Sequence, residues 1–213
     1  MNRRHFLETL AAGLLVADCA VPARTSMPAQ RSVPVERDEN GLTPLRRFFV
    51  TAITSFAPRI DVTTSMLTVG GAVEHSFSML YEELATDPQQ TYRAVLQCVG
   101  GASGTAEWVG MPLRFLLDRA GIQSDAKKVV FYAGDGYESS IPVAMAMKPD
   151  SLLAHRMNGA ALQPNHGSPV RLVLPGVYGY KQVKWITRID VVTENHKGYW
   201  EQRGYSDDGT IRS

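Results

Sequence analysis

One cysteine, Cys98, is the residue of this sequence best suited to bind a metal or to act as a thiol. It ends the apolar stretch 92–98, which is predicted to be a strand, and two glycines follow it. Glycine allows an abrupt turn, so the thiol would lie at a strand end where a ligand can approach the backbone closely. A free cysteine is most often a small buried core residue, and Cys98 alone favours that interpretation.

The cations that could bind a ligand lie in the stretch 166–185, around a glycine-rich turn at 176–179. Arg171 can bind a phosphate or a planar ring edge through two parallel hydrogen bonds, whereas Lys181 and Lys184 would act as point charges. This arrangement suits a phosphate-bearing ligand. A solvated β-hairpin with ordinary basic residues explains the same pattern equally well.

The composition excludes several classes of protein. The chain has 213 residues, of which 44% are hydrophobic and 20% are charged, as in soluble globular proteins. The formal net charge of +1 gives no broad basic field, so no nucleic-acid partner is expected. Two cysteines cannot form a disulfide framework, and no spaced Cys/His pairs of a zinc site occur.

The N-terminus has the layout of an export signal. Two arginines at 3–4 precede Phe-Leu at 6–7 and a mild apolar stretch at 9–17, which resembles a twin-arginine signal peptide. Cleavage after the small residues that end the segment 1–23 would remove Cys19. A lipoprotein role for Cys19, or a frayed basic helix, are the alternatives. We therefore expect export of the folded protein to the periplasm, a route often taken by proteins that receive a cofactor in the cytoplasm.

The rest of the chain predicts one domain. Residues 24–44 are rich in proline, serine and charge and are predicted to be a flexible linker. Residues 45–205 are predicted to form a single α+β domain, strand-rich and with a mixed sheet, because strands outnumber helices and do not alternate with them regularly. Residues 206–213 are predicted to be a tail.

Local patterns give the predicted elements. Leucines at helical spacing between Pro112 and Gly121 predict a helix over 112–120. A short helix is predicted at 78–85, a helical turn at 151–156, and an edge strand or loop at 139–147. The predicted strands are 65–73, 92–98, 128–133, 169–174 and 185–192.

Five motifs resemble the molybdopterin-binding domain of the sulfite oxidase family, in that family's order and spacing. The resemblance covers about residues 45–205, and five motifs in register are far more specific than one. They are Cys98-Val99-Gly100; Trp108-Val109-Gly110-Met111-Pro112-Leu113; Gly136-Tyr137 with Ser139-Ser140-Ile141-Pro142; His166-Gly167 with Pro169-Val170-Arg171; and Tyr178-Gly179 with Val183-Lys184-Trp185.

The resemblance implies the family's fold and a molybdenum–molybdopterin cofactor with one protein thiolate. Cys98 matches that metal ligand and would be the catalytic residue, since a soft thiolate suits the role. Arg171 and Lys184 match the residues that neutralise the cofactor phosphate, and His166 would donate a hydrogen bond to the pterin. The remaining cofactor contacts implied are the backbone around Gln182 and Val183, and the pocket-lining hydroxyls Ser139 and Ser140.

The sequence also departs from the family pattern. Vertebrate- and plant-type members carry an asparagine and arginines after the cysteine loop to bind sulfite, whereas Gly-Ala-Ser-Gly stands here at 101–104. The usual Asn-His pair is missing near Phe49, and the family's C-terminal dimerisation domain is not present. We therefore expect a monomer that acts on a small molecule or sulfoxide rather than clearly on sulfite, as in the short exported bacterial members.

Three functions remain open at this point. The first is an exported molybdenum cofactor-dependent oxidoreductase that transfers oxygen atoms or electrons. No haem attachment motif is visible, so it would exchange electrons with a separate redox protein, a cytochrome or a membrane haem protein. The second is a non-catalytic binding module that keeps the fold but has lost the activity or the cofactor. The third, a cofactor-free thiol enzyme using Cys98, lacks a visible base.

Overall fold

The computed structural model describes residues 36–86 and 88–212. The predicted signal peptide at 1–23 and the first part of the predicted linker lie outside these residues. No helix in the described ranges is both long and apolar enough to span a membrane.

The described chain forms ten strands, two short α-helices and several 3₁₀ turns. In chain order the strands and helices are β1 (Met66–Gly71), β2 (Phe77–Leu80), β3 (Gln90–Gln97), β4 (Ser103–Pro112), α1 (Leu113–Ala120), β5 (Lys128–Ala133), β6 (Glu138–Pro142), α2 (Val143–Ala146), β7 (Leu152–Met157), β8 (Ala160–Ala161), β9 (Arg171–Val173) and β10 (Ile186–Val192).

The strands form two sheets. The first has the order β2-β1-β10-β5-β6, in which β1 pairs with β10 in parallel and all other pairs are antiparallel. The second has the order β3-β4-β7-β8, with β9 also on β7, and is antiparallel throughout. The predicted mixed-sheet α+β class is confirmed.

Side chains of both sheets and of α1 share the larger hydrophobic core. Leu113, Leu116 and Leu117 of α1 have no exposed surface and lie on one face of the helix, as their spacing predicts. Gly121 ends the helix in the left-handed conformation that glycine adopts without strain. Burying each leucine contributes about 1.5–3 kcal/mol, so this short helix is held mainly by its packing.

Several predicted elements are wrong. The predicted helical turn at 151–156 is strand β7, and the predicted helix at 78–85 is divided between β2 and a 3₁₀ turn, Tyr81–Ala85. Strand β7 is buried on both faces, since Leu152 and Leu153 belong to different core clusters. A strand buried on both faces is apolar throughout, so its sequence lacks the alternation of polar and apolar residues that identifies a strand.

The packed domain also extends beyond the predicted limits of residues 45 and 205. Thr43 is fully buried, and its hydroxyl accepts a hydrogen bond of 3.0 Å from the Thr105 amide of β4. At the other end, the backbone of Gly209 accepts a hydrogen bond of 2.8 Å from Tyr178. Part of the predicted linker and tail therefore belongs to the folded unit.

Candidate functional site

A cleft of about 180 Å³ brings together residues from five separate segments of the chain. These are the loop at 49–53, the end of β3 with the loop after it, the β5–β6 turn at 135–137, the stretch from 165 to 185, and the C-terminal stretch around Trp200 and Tyr205. Six of the predicted site residues line this cleft: Cys98, His166, Arg171, Gln182, Val183 and Lys184.

Cys98 lies just past the end of β3, in a tight loop. Its amide donates a hydrogen bond of 2.7 Å to the carbonyl of Ala102, and the amide of Gly101 donates one of 3.0 Å back to Cys98. Gly101 has a φ of +94°, which a side chain would strain. The preceding Gln97 forms a parallel bridge with Tyr178, so the cysteine loop is joined directly to the cation-bearing turn.

Arg171, the first residue of β9, is a buried cation without a carboxylate partner among the described residues. Its Nη1 and Nη2 donate to the carbonyls of His166 and Gln182, at 3.0 and 3.4 Å, while its Nε has no hydrogen-bond partner. The guanidinium lies 4.9 Å from the ring centre of Trp108. Burial lowers the pKa of Arg171 to about 10, so it stays charged at neutral pH.

Lys184 is the second cation of the cleft. Its Nζ donates a hydrogen bond of 3.1 Å to the Asn165 carbonyl and lies 4.0 Å from the ring centre of Trp185. Burial, and next the neighbouring charge of Arg171, lower the pKa of Lys184 to about 7. A Cβ added at Gly167 would lie 3.0 Å from that of Arg171 and 3.1 Å from that of Lys184, so a glycine there lets the two cations pack together.

The remaining predicted residues of this stretch contribute less charge. Burial, and next the charge of Arg171, lower the pKa of His166, so its ring is neutral at neutral pH. The side chain of Gln182 is directed away from the cleft towards the backbone of Leu174 and Val177, and its main chain carries the contact with Arg171. Val183 accepts a hydrogen bond of 2.8 Å from the Leu172 amide, which fixes the turn on β9.

Ser139 and Ser140 do not line the cleft, and the prediction that they do is wrong. Both are fully buried in β6: the Ser139 hydroxyl donates to Glu201 at 2.6 Å and the Ser140 hydroxyl donates to the carbonyl of His196 at 2.8 Å. Lys181 is not a free phosphate donor either, since it is fully buried in an ion pair with Glu201. The alternation of side chains along a strand does not explain why these residues are buried. They are buried because they pack against the C-terminal stretch of the chain.

Sequence reasoning missed the aromatic side of the cleft. Trp200 and Tyr205 line it, with ring centres 4.9 Å apart, and Tyr205 packs edge-on against Tyr180 at 5.2 Å. Tyr137 and Tyr180 also line the cleft, whereas Tyr178 does not. The density of aromatic residues in the stretch 199–205 is the signal that could have indicated this wall.

The residues of the cleft fit a phosphate-bearing cofactor. Two buried or half-buried cations lie side by side, and neither has a carboxylate within ion-pair distance in the described ranges. The unpartnered Nε of Arg171 adds a donor that only a ligand or solvent can satisfy. A cysteine at the same cleft supplies a soft ligand atom, so the donor set suits a metal–pterin phosphate.

Comparison with known proteins gives the same family. Residues 54–200 match the model of the oxidoreductase molybdopterin binding domain. The chain is 34% identical over 146 residues to the uncharacterized oxidoreductase YuiH of Bacillus subtilis, covering 68% of this chain and 74% of that protein. It is 36% identical to human mitochondrial sulfite oxidase, covering 78% of this chain but only 36% of that enzyme.

Two further proteins match this chain over part of their own length. A putative protein-methionine-sulfoxide reductase subunit, YedZ1 of Azospira oryzae, is 33% identical and is covered over 56% of its length. Among solved structures, the sulfane dehydrogenase SoxCD of Paracoccus pantotrophus superposes with a TM-score of 0.70 at 28% identity, over 82% of this chain and 50% of the other. Because the family model matches most of the chain, this protein belongs to the molybdopterin-binding oxidoreductase family of the sulfite oxidases.

Proposed function

We propose that this chain is an exported oxidoreductase that depends on a molybdenum–molybdopterin cofactor held in the cleft. The observation that carries the proposal is the meeting of Cys98 with two uncompensated cations, Arg171 and Lys184, at one cleft. When bound, the cofactor supplies oxygen-atom or electron transfer at molybdenum. The chain's own part is to bind the phosphate, provide the Cys98 sulfur as a metal ligand and shape the space beside the metal.

Each cleft residue has a distinct task in this proposal. Arg171 is fixed by two carbonyls, so its free Nε and charge are preorganised for the phosphate of the cofactor. Lys184 approaches from the neighbouring turn and adds a second charge. His166 is buried and neutral, so one of its ring nitrogens can form a hydrogen bond with the pterin without adding charge.

The chemistry of the cleft wall favours a neutral or soft substrate. Its charged residues are Asp135, Arg171 and Lys184, and the two cations are assigned to the cofactor. The other side of the cleft is aromatic and aliphatic, and the described residues that line it include no second pair of cations to receive sulfite. A small molecule such as a sulfoxide therefore suits the site better than sulfite, since an anion needs paired donors.

Export and the redox partner belong to the same proposal. The twin-arginine pattern at 3–4 and 6–7 supports export of a folded, loaded protein to the periplasm. Electrons would pass to or from a separate cytochrome or membrane haem protein. The YedZ1 relative is named as a subunit, which supports the same kind of arrangement here.

The experiment is to measure molybdenum and molybdopterin in protein purified from a host that makes the cofactor. We expect about one of each per chain in the wild type, and loss of both in Arg171→Met/Lys184→Met. Arg188→Met is the matched control, because Arg188 also lies over an aromatic ring, that of Tyr132 at 3.9 Å, but does not line the cleft. Its content should equal that of the wild type.

Cys98→Ser separates the metal ligand from the pterin site. The variant should keep its fold and pterin while losing molybdenum or turnover with a sulfoxide, because a hydroxyl is a poor soft-metal ligand. Full activity in Cys98→Ser would contradict the ligand role. A folded wild type that contains neither pterin nor metal would instead support the non-catalytic binding module.

A further inference from the structure

The last described stretch of the chain forms one side of the cleft without belonging to either sheet. We call residues 199–212 the C-terminal strap. It carries Trp200 and Tyr205, both of which line the cleft, and it includes one 3₁₀ turn, Glu201–Arg203. Backbone hydrogen bonds join the strap to β6 and to the turn after β9: the Tyr199 amide donates to Glu138, the Tyr178 amide to Gly209, and the Ile211 amide to Gly176.

A buried ion pair lies under the strap. The side chains of Lys181 and Glu201 are both fully buried and in direct contact. Nζ of Lys181 also donates a hydrogen bond of 2.8 Å to the Ser140 carbonyl, and the hydroxyl of Ser139 donates one of 2.6 Å to Glu201. The pair is therefore held against β6 from both sides, which leaves each charge little freedom to move.

The net contribution of such a buried ion pair to the free energy of unfolding is small. The position of the pair therefore says more about its role than its contribution to stability does. Transfer of two charges out of water offsets most of their attraction, and replacing both partners by apolar side chains is often neutral. Removing one partner alone leaves an uncompensated buried charge. A buried pair can instead select one arrangement of the elements that carry it.

Lys181 and Glu201 are each adjacent in sequence to residues that line opposite sides of the cleft. Lys181 follows Tyr180, which lines the cleft, and precedes Gln182, whose carbonyl accepts a hydrogen bond from Arg171. Glu201 follows Trp200 directly. The ion pair thus connects the cation-bearing turn to the aromatic strap, beside the hydroxyl of Tyr180, which donates a hydrogen bond of 2.6 Å to the carbonyl of Ser206.

We propose that the Lys181–Glu201 pair is a positioning device that fixes Trp200 and Tyr205 as the wall against which the substrate binds. This inference rests on the proposed function, since it concerns substrate binding beside the same cofactor. The pair does not touch the cleft itself. It acts through the strap, so it governs substrate affinity and leaves the chemical step to the groups at the metal.

The chemistry of the aromatic wall also predicts which substrates would bind less tightly if the wall moved. The Trp200 and Tyr205 rings present flat, polarisable faces, which attract apolar, sulfur-containing or cationic groups. A small methyl-bearing sulfoxide would lose contacts when the rings move. An inorganic oxyanion such as sulfite, which needs cations rather than ring faces, would not.

The test compares two double variants. Lys181→Met/Glu201→Leu removes the pair with similar volume. Arg212→Met/Asp208→Asn is the matched control, because this exposed ion pair of 2.9 Å also lies in the strap but, unlike Asp207, which is 3.7 Å from Nζ of Lys181, it forms no ion pair with Lys181. The first readout is acrylamide quenching of tryptophan fluorescence in cofactor-free protein. Trp108 and Trp185 are only 1% and 2% exposed, so quenching reports on Trp200, as Trp200→Phe should verify.

We expect the Lys181/Glu201 variant to keep its fold while Trp200 quenching rises roughly threefold, as for a partly buried ring that becomes mobile. In loaded enzyme, KM for a methyl sulfoxide should rise roughly tenfold with kcat within about twofold. The Arg212/Asp208 control should change neither. Lys181→Met/Glu201→Gln, which leaves no buried charge and keeps an acceptor for Ser139, replaces the double variant if that fails to fold, with the same direction expected.

Unchanged quenching in the Lys181/Glu201 variant, or an equal rise in both double variants, would overturn the positioning role. A fall in kcat with KM unchanged would also contradict it. The fluorescence readout needs no cofactor. A wild type that binds no molybdopterin would therefore refute the proposed function while the quenching comparison still decides this inference.

Discussion

Anion binding in the cleft should depend on pH through Lys184. Its pKa in the anion-free protein is lowered to about 7, because it is buried beside Arg171. A bound dianion favours the charged lysine and raises that pKa. Binding above pH 7 therefore requires the uptake of a proton, and the affinity should fall as the pH rises.

The size of the effect follows from the fraction of lysine already charged. With a pKa near 7, Lys184 is about nine-tenths protonated at pH 6 and about one-tenth at pH 8, so the affinity should fall roughly tenfold, or about 1.4 kcal/mol. Arg171, with a pKa of about 10, stays charged throughout this range and adds no slope. His166 has a lowered pKa and stays neutral over most of it.

Sulfate is a suitable probe for calorimetric titration of the cofactor-free protein, because its own charge is constant from pH 6 to pH 8. Lys184→Arg is the matched control: it keeps a cation at the position but does not titrate, so its affinity should be nearly flat with pH. A wild-type affinity that does not change over this range would refute the reasoning. A slope equal in wild type and Lys184→Arg would assign the proton to another group.

Two further predictions concern stability. An added methyl at Gly110 would lie 2.2 Å from a backbone oxygen of β7, so Gly110→Ala should lower the free energy of unfolding by about 2–4 kcal/mol. Gly100→Ala, whose nearest neighbour is 4.0 Å away, should leave the thermal midpoint unchanged. Thr43→Val should lose about 1–3 kcal/mol in denaturant titrations, because the Thr105 amide is left buried without an acceptor. Thr43→Ser should restore it, and a stable valine variant would place Thr43 outside the cooperative unit.

The sequence predicted an element correctly where its local pattern agreed with the tertiary packing. The helix α1 combines a leucine stripe with Gly121 at its end, and both features are found in the structure. The gathering of Cys98, Arg171 and Lys184 at one cleft could be predicted only because ordered motifs resembled a known family. No local pattern connects β3 to the turn after β9; their contact is made by the Gln97–Tyr178 bridge.

The errors have physical reasons of two kinds. Strand β4 was not predicted, because it contains Gly104 and Gly110, which in sequence indicate turns. In the structure, Phe48 and the backbone of β7 leave no room for a Cβ at these positions. Ser139, Ser140 and Lys181 were assigned to a ligand, but Ser139 and Lys181 are paired with Glu201 of the C-terminal strap, and Ser140 donates to the carbonyl of His196 just before it. Buried polar residues can form hydrogen bonds with residues far away in the sequence, and a single sequence does not show which residues are paired in this way.

The central strand of the first sheet is also the last strand to be synthesised. Thr68 of β1 pairs with Arg188 of β10, and β10 lies between β1 and β5. Until residue 192 has emerged from the ribosome, β1 and β5 each have an unpaired edge, and the sheet cannot close. Pairing of such distant segments is slow compared with local contacts. The first sheet therefore closes only after residue 192 has been synthesised, and the edges of β1 and β5 stay open to chaperones until then.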